Sequence, residues 1–173
     1  MKFIVRIFIL VFLLAGMLAS CEEIRTYPDT PEVKYKSFSL FRTTDILGNE
    51  ILLGKLEFDF TDGDGNLGIE QPENSELPDS LKYNLYLSLF SLESGVFQKK
   101  EDITSLNFRI PYIERTGQNK TLKGAIIVDL EYKKIDYDTL FYTFYIVDRD
   151  FNKSNIDSTE VLVFTGITLN DSK

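Results

Sequence analysis

The side chains of this sequence that could do chemistry are mainly oxygen donors. The segment Asp62-Gly63-Asp64-Gly65-Asn66-Leu67-Gly68 places three oxygen-bearing side chains at alternate positions, and Asp148, Asp150 and Asn152 repeat that spacing later in the chain. Hard cations such as Ca²⁺ take ligands of this kind. Asp62, Asp64 and Asn66 fall like positions 1, 3 and 5 of an EF-hand loop, and Glu73 falls at the twelfth. The match stops there: Leu67 stands where that loop requires glycine, Pro72 precedes Glu73, and neither flank reads as a helix. A β-sandwich offers another route. If its turns bring the two segments to one end, Asp62, Asp64, Asn66, Asp148, Asp150 and Asn152 supply enough oxygens for one Ca²⁺. Turns demand Asp, Gly and Asn on their own account, and the sequence favours that plainer reading while leaving both open.

Other chemistries are excluded more firmly. Gly63, Gly65 and Gly68 spell G-x-G-x-x-G, but a dinucleotide loop must lead into a helix whose amino end faces the pyrophosphate. Here Pro72 and Pro78 follow, and Asp62 and Asp64 would repel phosphate. With no histidine and a single cysteine, Cys21, there is no Ser-His-Asp, Cys-His or zinc-histidine site. A carboxylate pair for glycoside hydrolysis remains as a remote alternative. The acidic residues mostly occupy apparent turns and solvent faces, where no pKa tuning is expected, so the chain reads as a non-enzyme. Its 27 acidic and 19 basic residues give a net charge of −8. That balance argues against a nucleic-acid partner.

The elements that would position these loops read as strands. Val33 to Phe41 is a first strand, closed by the turn Asp45-Ile46-Leu47-Gly48-Asn49. Leu53 to Phe60 alternates cleanly, with Leu56, Phe58 and Phe60 on one side and Lys55, Glu57 and Asp59 on the other. Tyr83 to Leu89 and Gly124 to Leu130 alternate likewise. Val96-Phe97 and Leu106 to Ile110 read as short peripheral strands. Leu140 to Val147 is apolar on both faces, which suits a central strand, and Glu160 to Phe164 ends the set. No window has helical periodicity with a cap. About seven or eight short antiparallel strands predict an all-β, immunoglobulin-like sandwich over residues 33–173. With 14 Phe, 9 Tyr and no Trp, most aromatic residues are expected in the core. Tyr86, Phe90, Phe97, Tyr112, Tyr132 and Tyr137 are the candidates for an exposed binding face. The locally basic run Arg109 to Lys123 reads as a solvated loop in preference to a docking site.

Asp138-Thr139-Leu140-Phe141-Tyr142-Thr143-Phe144 is similar to the tyrosine-corner segment of immunoglobulin-type domains. That likeness would make Tyr142 the corner tyrosine and put Phe144 where antibody domains place their second cysteine. The alternative is that Tyr142 is simply a strand aromatic.

The amino terminus carries an address. Lys2 and Arg6 precede an apolar run of about 15 residues, shorter than the ~20 needed to span a bilayer. It closes in Leu18-Ala19-Ser20-Cys21, the layout of a secretory signal. This motif resembles the lipobox of bacterial lipoproteins, in which the signal is cut before the cysteine and that residue is acylated. The likeness implies a cleaved signal over residues 1–20, lipidation of Cys21 and attachment to a membrane. Cleavage removes two of the 19 basic residues and none of the 27 acidic ones, so the net charge of −8 becomes −10 over 153 residues. Glu22 to Glu32, with Pro28 and Pro31, reads as an extended tether of about 35 Å maximum reach.

The chain as a whole resembles a group of uncharacterised Bacteroidetes lipoproteins with immunoglobulin-like domains. The likeness is carried by the lipobox, Tyr35-Lys36-Ser37-Phe38, Phe60 to Gly68, Ile110-Pro111, Asn119 to Gly124 and Asp148 to Asn155. Glu22-Glu23 is similar to export signals of surface lipoproteins in that phylum. The resemblance implies a cell-envelope protein anchored in the outer membrane, facing the periplasm or the surface, and no chemistry. Two functions are then expected: an interaction or accessory domain for an envelope protein, or a structural module with a calcium-stabilised acidic end.

Overall fold

The computed structural model describes residues 26–73, 77–101, 106–114, 120–167 and 169. The apolar run, the Leu18–Cys21 motif, Glu22-Glu23, Arg115 and Asn119 lie outside them. The first half contains β1 (Glu32–Thr44), β2 (Glu50–Asp62), a single helical turn α1 (Asp79–Lys82), β3 (Leu85–Glu93) and β4 (Val96–Lys99). The second half contains β5 (Asn107–Phe108), β6 (Leu122–Tyr132), β7 (Thr139–Ile146), β8 (Asp157–Ser158) and β9 (Leu162–Val163).

The strands form two antiparallel sheets, as expected for a β-sandwich. The first has the order β1-β2-β6, and the second runs β4-β3-β7-β8, with β5 also on β3 and β9 also on β7. The chain crosses between the sheets after β2, after β5 and after β6. One end of the sandwich gathers the start of β1, the end of β2 and the start of β6, because Glu32 pairs with Thr61 and Asp62 pairs with Leu122. Leu85 at the start of β3 pairs with Ile146 at the end of β7. The Asp62 and Asp148 segments therefore leave the two sheets at the same end.

Period-two alternation holds the sheets together. Leu56, Phe58 and Phe60 of β2, Leu85, Leu87 and Leu89 of β3, Val128 and Leu130 of β6, and Leu140, Tyr142, Phe144 and Ile146 of β7 all face one buried core. At its centre the rings of Phe58 and Phe144 meet across the sheets, with centroids 4.8 Å apart and neither ring exposed. An aromatic contact thus joins β2 to β7 across the sandwich.

Tyr142 departs from the corner geometry. Its hydroxyl lies 2.9 Å from that of Tyr132 on β6, across the sandwich, whereas a corner tyrosine reaches nearby backbone. Tyr132 is correspondingly part of the interior, not of an exposed aromatic face. Burial raises both hydroxyl pKa values, that of Tyr142 to about 12 and that of Tyr132 further. Below pH 10 both hydroxyls are neutral in folded and unfolded chains, so their contribution to stability is fully present. Above it the unfolded chain releases protons that the folded one keeps, and that contribution is lost as pH rises toward about 12. In an ultraviolet titration these two tyrosines should ionise only as the strand circular dichroism collapses. Ionisation of all nine near pH 10 with the fold intact would be incompatible with this pair.

Two features escaped the alternation pattern. The β1–β2 register shifts between Tyr35 and Ser37, so a bulge at Lys36 re-phases the strand and keeps both Val33 and Phe38 inward. The stretch read as a free tether is also partly docked. Pro31 is fully buried, the Gly63 amide donates to Pro28 O (3.0 Å), and Lys123 Nζ lies 3.4 Å from the centre of the Tyr27 ring. Prolines without an amide proton pack well where no ladder bond is needed.

Candidate functional site

The two acidic segments converge because both continue an inward-facing register. Along β2 the buried series Leu56, Phe58, Phe60 reaches Asp62 two residues later, and along β7 the series Tyr142, Phe144, Ile146 reaches Asp148. Side chains two apart on a strand share a face. The carboxylates therefore enter the end of the core: Asp62 is 0% exposed and Asp148 only 3%. This corrects the expectation that the acidic residues sit in solvated turns with no reason for pKa tuning. The signal was present in the alternation itself, carried one step past each apolar run.

Oxygens of Asp62, Asp64 and Asp148 lie within 4.8 Å of one another. Asp62 Oδ2 accepts from the Leu67 amide at 2.7 Å, while Asp62 Oδ1 is buried without a hydrogen-bond partner. Burial raises the pKa of Asp62 most, to about 6, and the charge of Asp64, a carboxyl–carboxylate contact with Asp64 and the charge of Asp148 raise it further, against the lowering effect of the Leu67 amide. Asp148 is braced by its own loop. The backbone amide of Asn152 donates to its Oδ1 (2.7 Å), and Asn152 Nδ2 donates to its Oδ2 (2.9 Å).

Asn66 connects the two segments. Its Nδ2 donates to Asp64 Oδ2 (2.9 Å) and to Asp150 Oδ2 (2.8 Å), and its Oδ1 is buried without a partner. The six residues singled out in the sequence thus divide by role. Asp62, Asp64 and Asp148 converge, Asn66 ties the loops, and Asp150 and Asn152 hold their neighbours.

Sequence reasoning missed Arg149, which lies between them. Its guanidinium donates to Gly68 O (3.0 Å) and Leu67 O (3.4 Å) and stacks over Tyr112, 4.9 Å from the ring centre. It stitches the loops through carbonyls and leaves the carboxylate charge in place. Among the described residues no ion pair reaches Asp62 or Asp148.

Two glycines are required by this packing. A Cβ on Gly63 would lie 2.2 Å from Pro28 O, and Gly68 has φ +91° with Pro111 O 2.4 Å from where its Cβ would be. Both contacts are to backbone, which cannot rotate away. Gly63 therefore holds the docked amino-terminal stretch directly against the acidic loop.

The other candidates scatter. Tyr86 stacks on Tyr145, and Phe90 and Phe97 both pack on Phe141, so these form an aromatic ladder along the outer face of the second sheet. Tyr137 lies under Lys100, away from that ladder's pairs. Of the basic run, Arg109 donates to Ile69 O (3.2 Å) and Lys123 covers Tyr27, so both serve the domain's own structure.

Comparison of the chain with protein-family models, curated proteins and solved structures finds no match. The functional reading therefore rests on the residues themselves.

Proposed function

We propose that this chain is a lipid-anchored, non-catalytic module of the bacterial cell envelope, attached to the outer membrane through Cys21 and acting as an interaction or accessory domain for an envelope protein. The observation that carries the reading is the docking of Tyr27 to Pro31 against the Gly63 loop, a few residues after the lipobox cysteine. A merely solvated tether would leave the domain free to tumble. A docked one holds the acidic end of the sandwich toward whatever Cys21 is attached to. Double or triple acylation suits firm attachment, since one chain gives only marginal binding.

A non-catalytic role is favoured by the same carboxylates that could suggest an enzyme. Glycosidases need an acid and a second carboxylate about 5–9.5 Å apart, with a sugar between them. Asp62 and Asp148 are buried and lack the exposed surface on which a substrate could sit.

The test is fractionation of cells labelled with a radioactive or clickable fatty acid. The wild-type chain should carry label and sediment with the outer membrane. Cys21→Ser should lose the label and leave the membrane fraction. Equal membrane association and cutting of the two chains would sink the proposal. Crosslinking on intact cells should then recover one stoichiometric envelope partner with the wild-type chain.

A further inference from the structure

We infer that Asp62, Asp64 and Asp148, with the side-chain oxygen of Asn66, form a binding site for one divalent cation of the size of Ca²⁺, bridging the two sheets at the end where β1 begins. The inference goes beyond the function proposed above and does not need the lipid anchor.

Three acidic residues near one another would be an insufficient basis. The additional observation is that a residue of the converging group carries a buried oxygen with no hydrogen-bond partner. Asp62 is fully buried, and its Oδ1 has no hydrogen-bond partner although the residue belongs to the convergent set. A buried carboxylate oxygen left in this state is strongly unfavourable. Arg149, beside Asp148 in the chain, is committed to the carbonyls of Leu67 and Gly68. A second buried oxygen, Asn66 Oδ1, is also without a partner, while the amide nitrogen of that residue is committed to Asp64 and Asp150.

The spacing suits a hard cation. Ca²⁺ holds oxygens at about 2.3–2.6 Å, so two ligands on opposite sides of it are separated by up to about 5 Å. The carboxylate oxygens here lie within 4.8 Å of one another. Oxygen-only ligation, no imidazole and no free thiol in the described loops also fit Ca²⁺ better than zinc or copper. The Asn152 bonds to Asp148 leave each carboxylate oxygen a further lone pair, so the brace orients this ligand without using it up.

Binding would join the end of β2 to the end of β7, which belong to different sheets. It would also stiffen the loop whose Gly63 holds Pro28. The competing way to relieve the charge is a proton shared between Asp62 and Asp64, which needs no cation and gives no response to one.

The experiment uses the full chain in detergent, stripped with chelator and titrated with CaCl2 or MgCl2 alone, followed by calorimetry and thermal melting. One Ca²⁺ per chain should bind, and the melting temperature should rise by about 5–10 °C at a hundredfold excess over Kd. Asp62→Asn and Asp148→Asn should each weaken binding at least tenfold, whereas Asp59→Asn on the outer face of β2 should leave it unchanged. Should a buried variant fail to fold, Asp64→Asn at the half-exposed position gives the same reading. Overlapping melting curves with and without Ca²⁺, or Ca²⁺ binding that survives Asp64→Asn unchanged, would overturn the site. An equal response to Mg²⁺ would overturn the assignment of cation size.

Discussion

Phe144→Ala should destabilise the domain by about 3–5 kcal/mol, the range found when a fully buried aromatic ring is deleted from a core. Three facts put this position at the upper end. Phe144 has no exposed surface, its ring meets Phe58 at 4.8 Å, and the contact joins the two sheets at the middle of the sandwich. No disulfide is available to hold β2 to β7 instead, because Cys21 is the only cysteine. The loss has two parts, the transfer energy of the ring and the cavity left between strands that cannot close fully. Phe144→Leu, which refills most of the volume, should cost less than half as much. Phe58→Ala should resemble Phe144→Ala, and the double variant should cost less than the sum, since each single change already removes the shared contact. Urea denaturation at neutral pH measures all four. A cost below about 1 kcal/mol for Phe144→Ala would show that the aromatic pair does not hold the sheets together.

The second large effect is expected at the seam where the first strand meets the last part of the chain. Asn155 behaves like a strand residue made from a side chain. Its Oδ1 accepts from the Val33 amide and its Nδ2 donates to the Val33 carbonyl, both at 2.9 Å. Asp157 accepts from the Tyr35 amide at 2.6 Å. These three bonds satisfy the side of β1 that has no neighbouring strand, and they do so where Val33 is buried. The double variant Asn155→Ala/Asp157→Ala leaves those backbone groups without partners in a place water reaches poorly, and should cost about 3 kcal/mol. Hydrogen exchange localises the effect. The amides of Val33 and Tyr35 should exchange much faster, while those of Phe58 and Phe60, paired inside the sheet, keep most of their protection. Unchanged protection at Val33 and Tyr35 would refute the seam.

How much of this was readable in advance depends on the range of the physics involved. Leu53 to Phe60, Gly124 to Leu130 and Leu140 to Val147 announce themselves because strand burial follows a period of two, and each was long enough to display it. The placement of the Asp62 and Asp148 loops at one end follows from strand order alone. Their burial was readable too, since both acids sit in phase with the apolar run before them. It was obscured because Asp beside glycine and asparagine also describes any solvated turn. The bulge at Lys36 leaves no trace in a sequence whose apolar residues simply change parity. β8 is two residues without an apolar signal, positioned by pairing to Thr143 and Phe144. The partner of Tyr142 could not be inferred, because Tyr132 is brought opposite it by the packing of two sheets. The docked prolines look like a linker until Gly63 provides the flat backbone surface on which they rest.

The placement of the first and last strands also determines how the domain carries load. β1 begins at the acidic end, whereas β9 pairs with Thr139 and Leu140, at the opposite pole of β7. A pull between the start of β1 and β9 is directed along the strand axes. The ladder between β1 and β2 has twelve paired positions, and its hydrogen bonds lie across the strands. Such a force shears those rungs together, where a peeling force would open them singly. Resistance under tension is then set by the barrier to sliding β1 past β2 and not by the equilibrium stability of the fold.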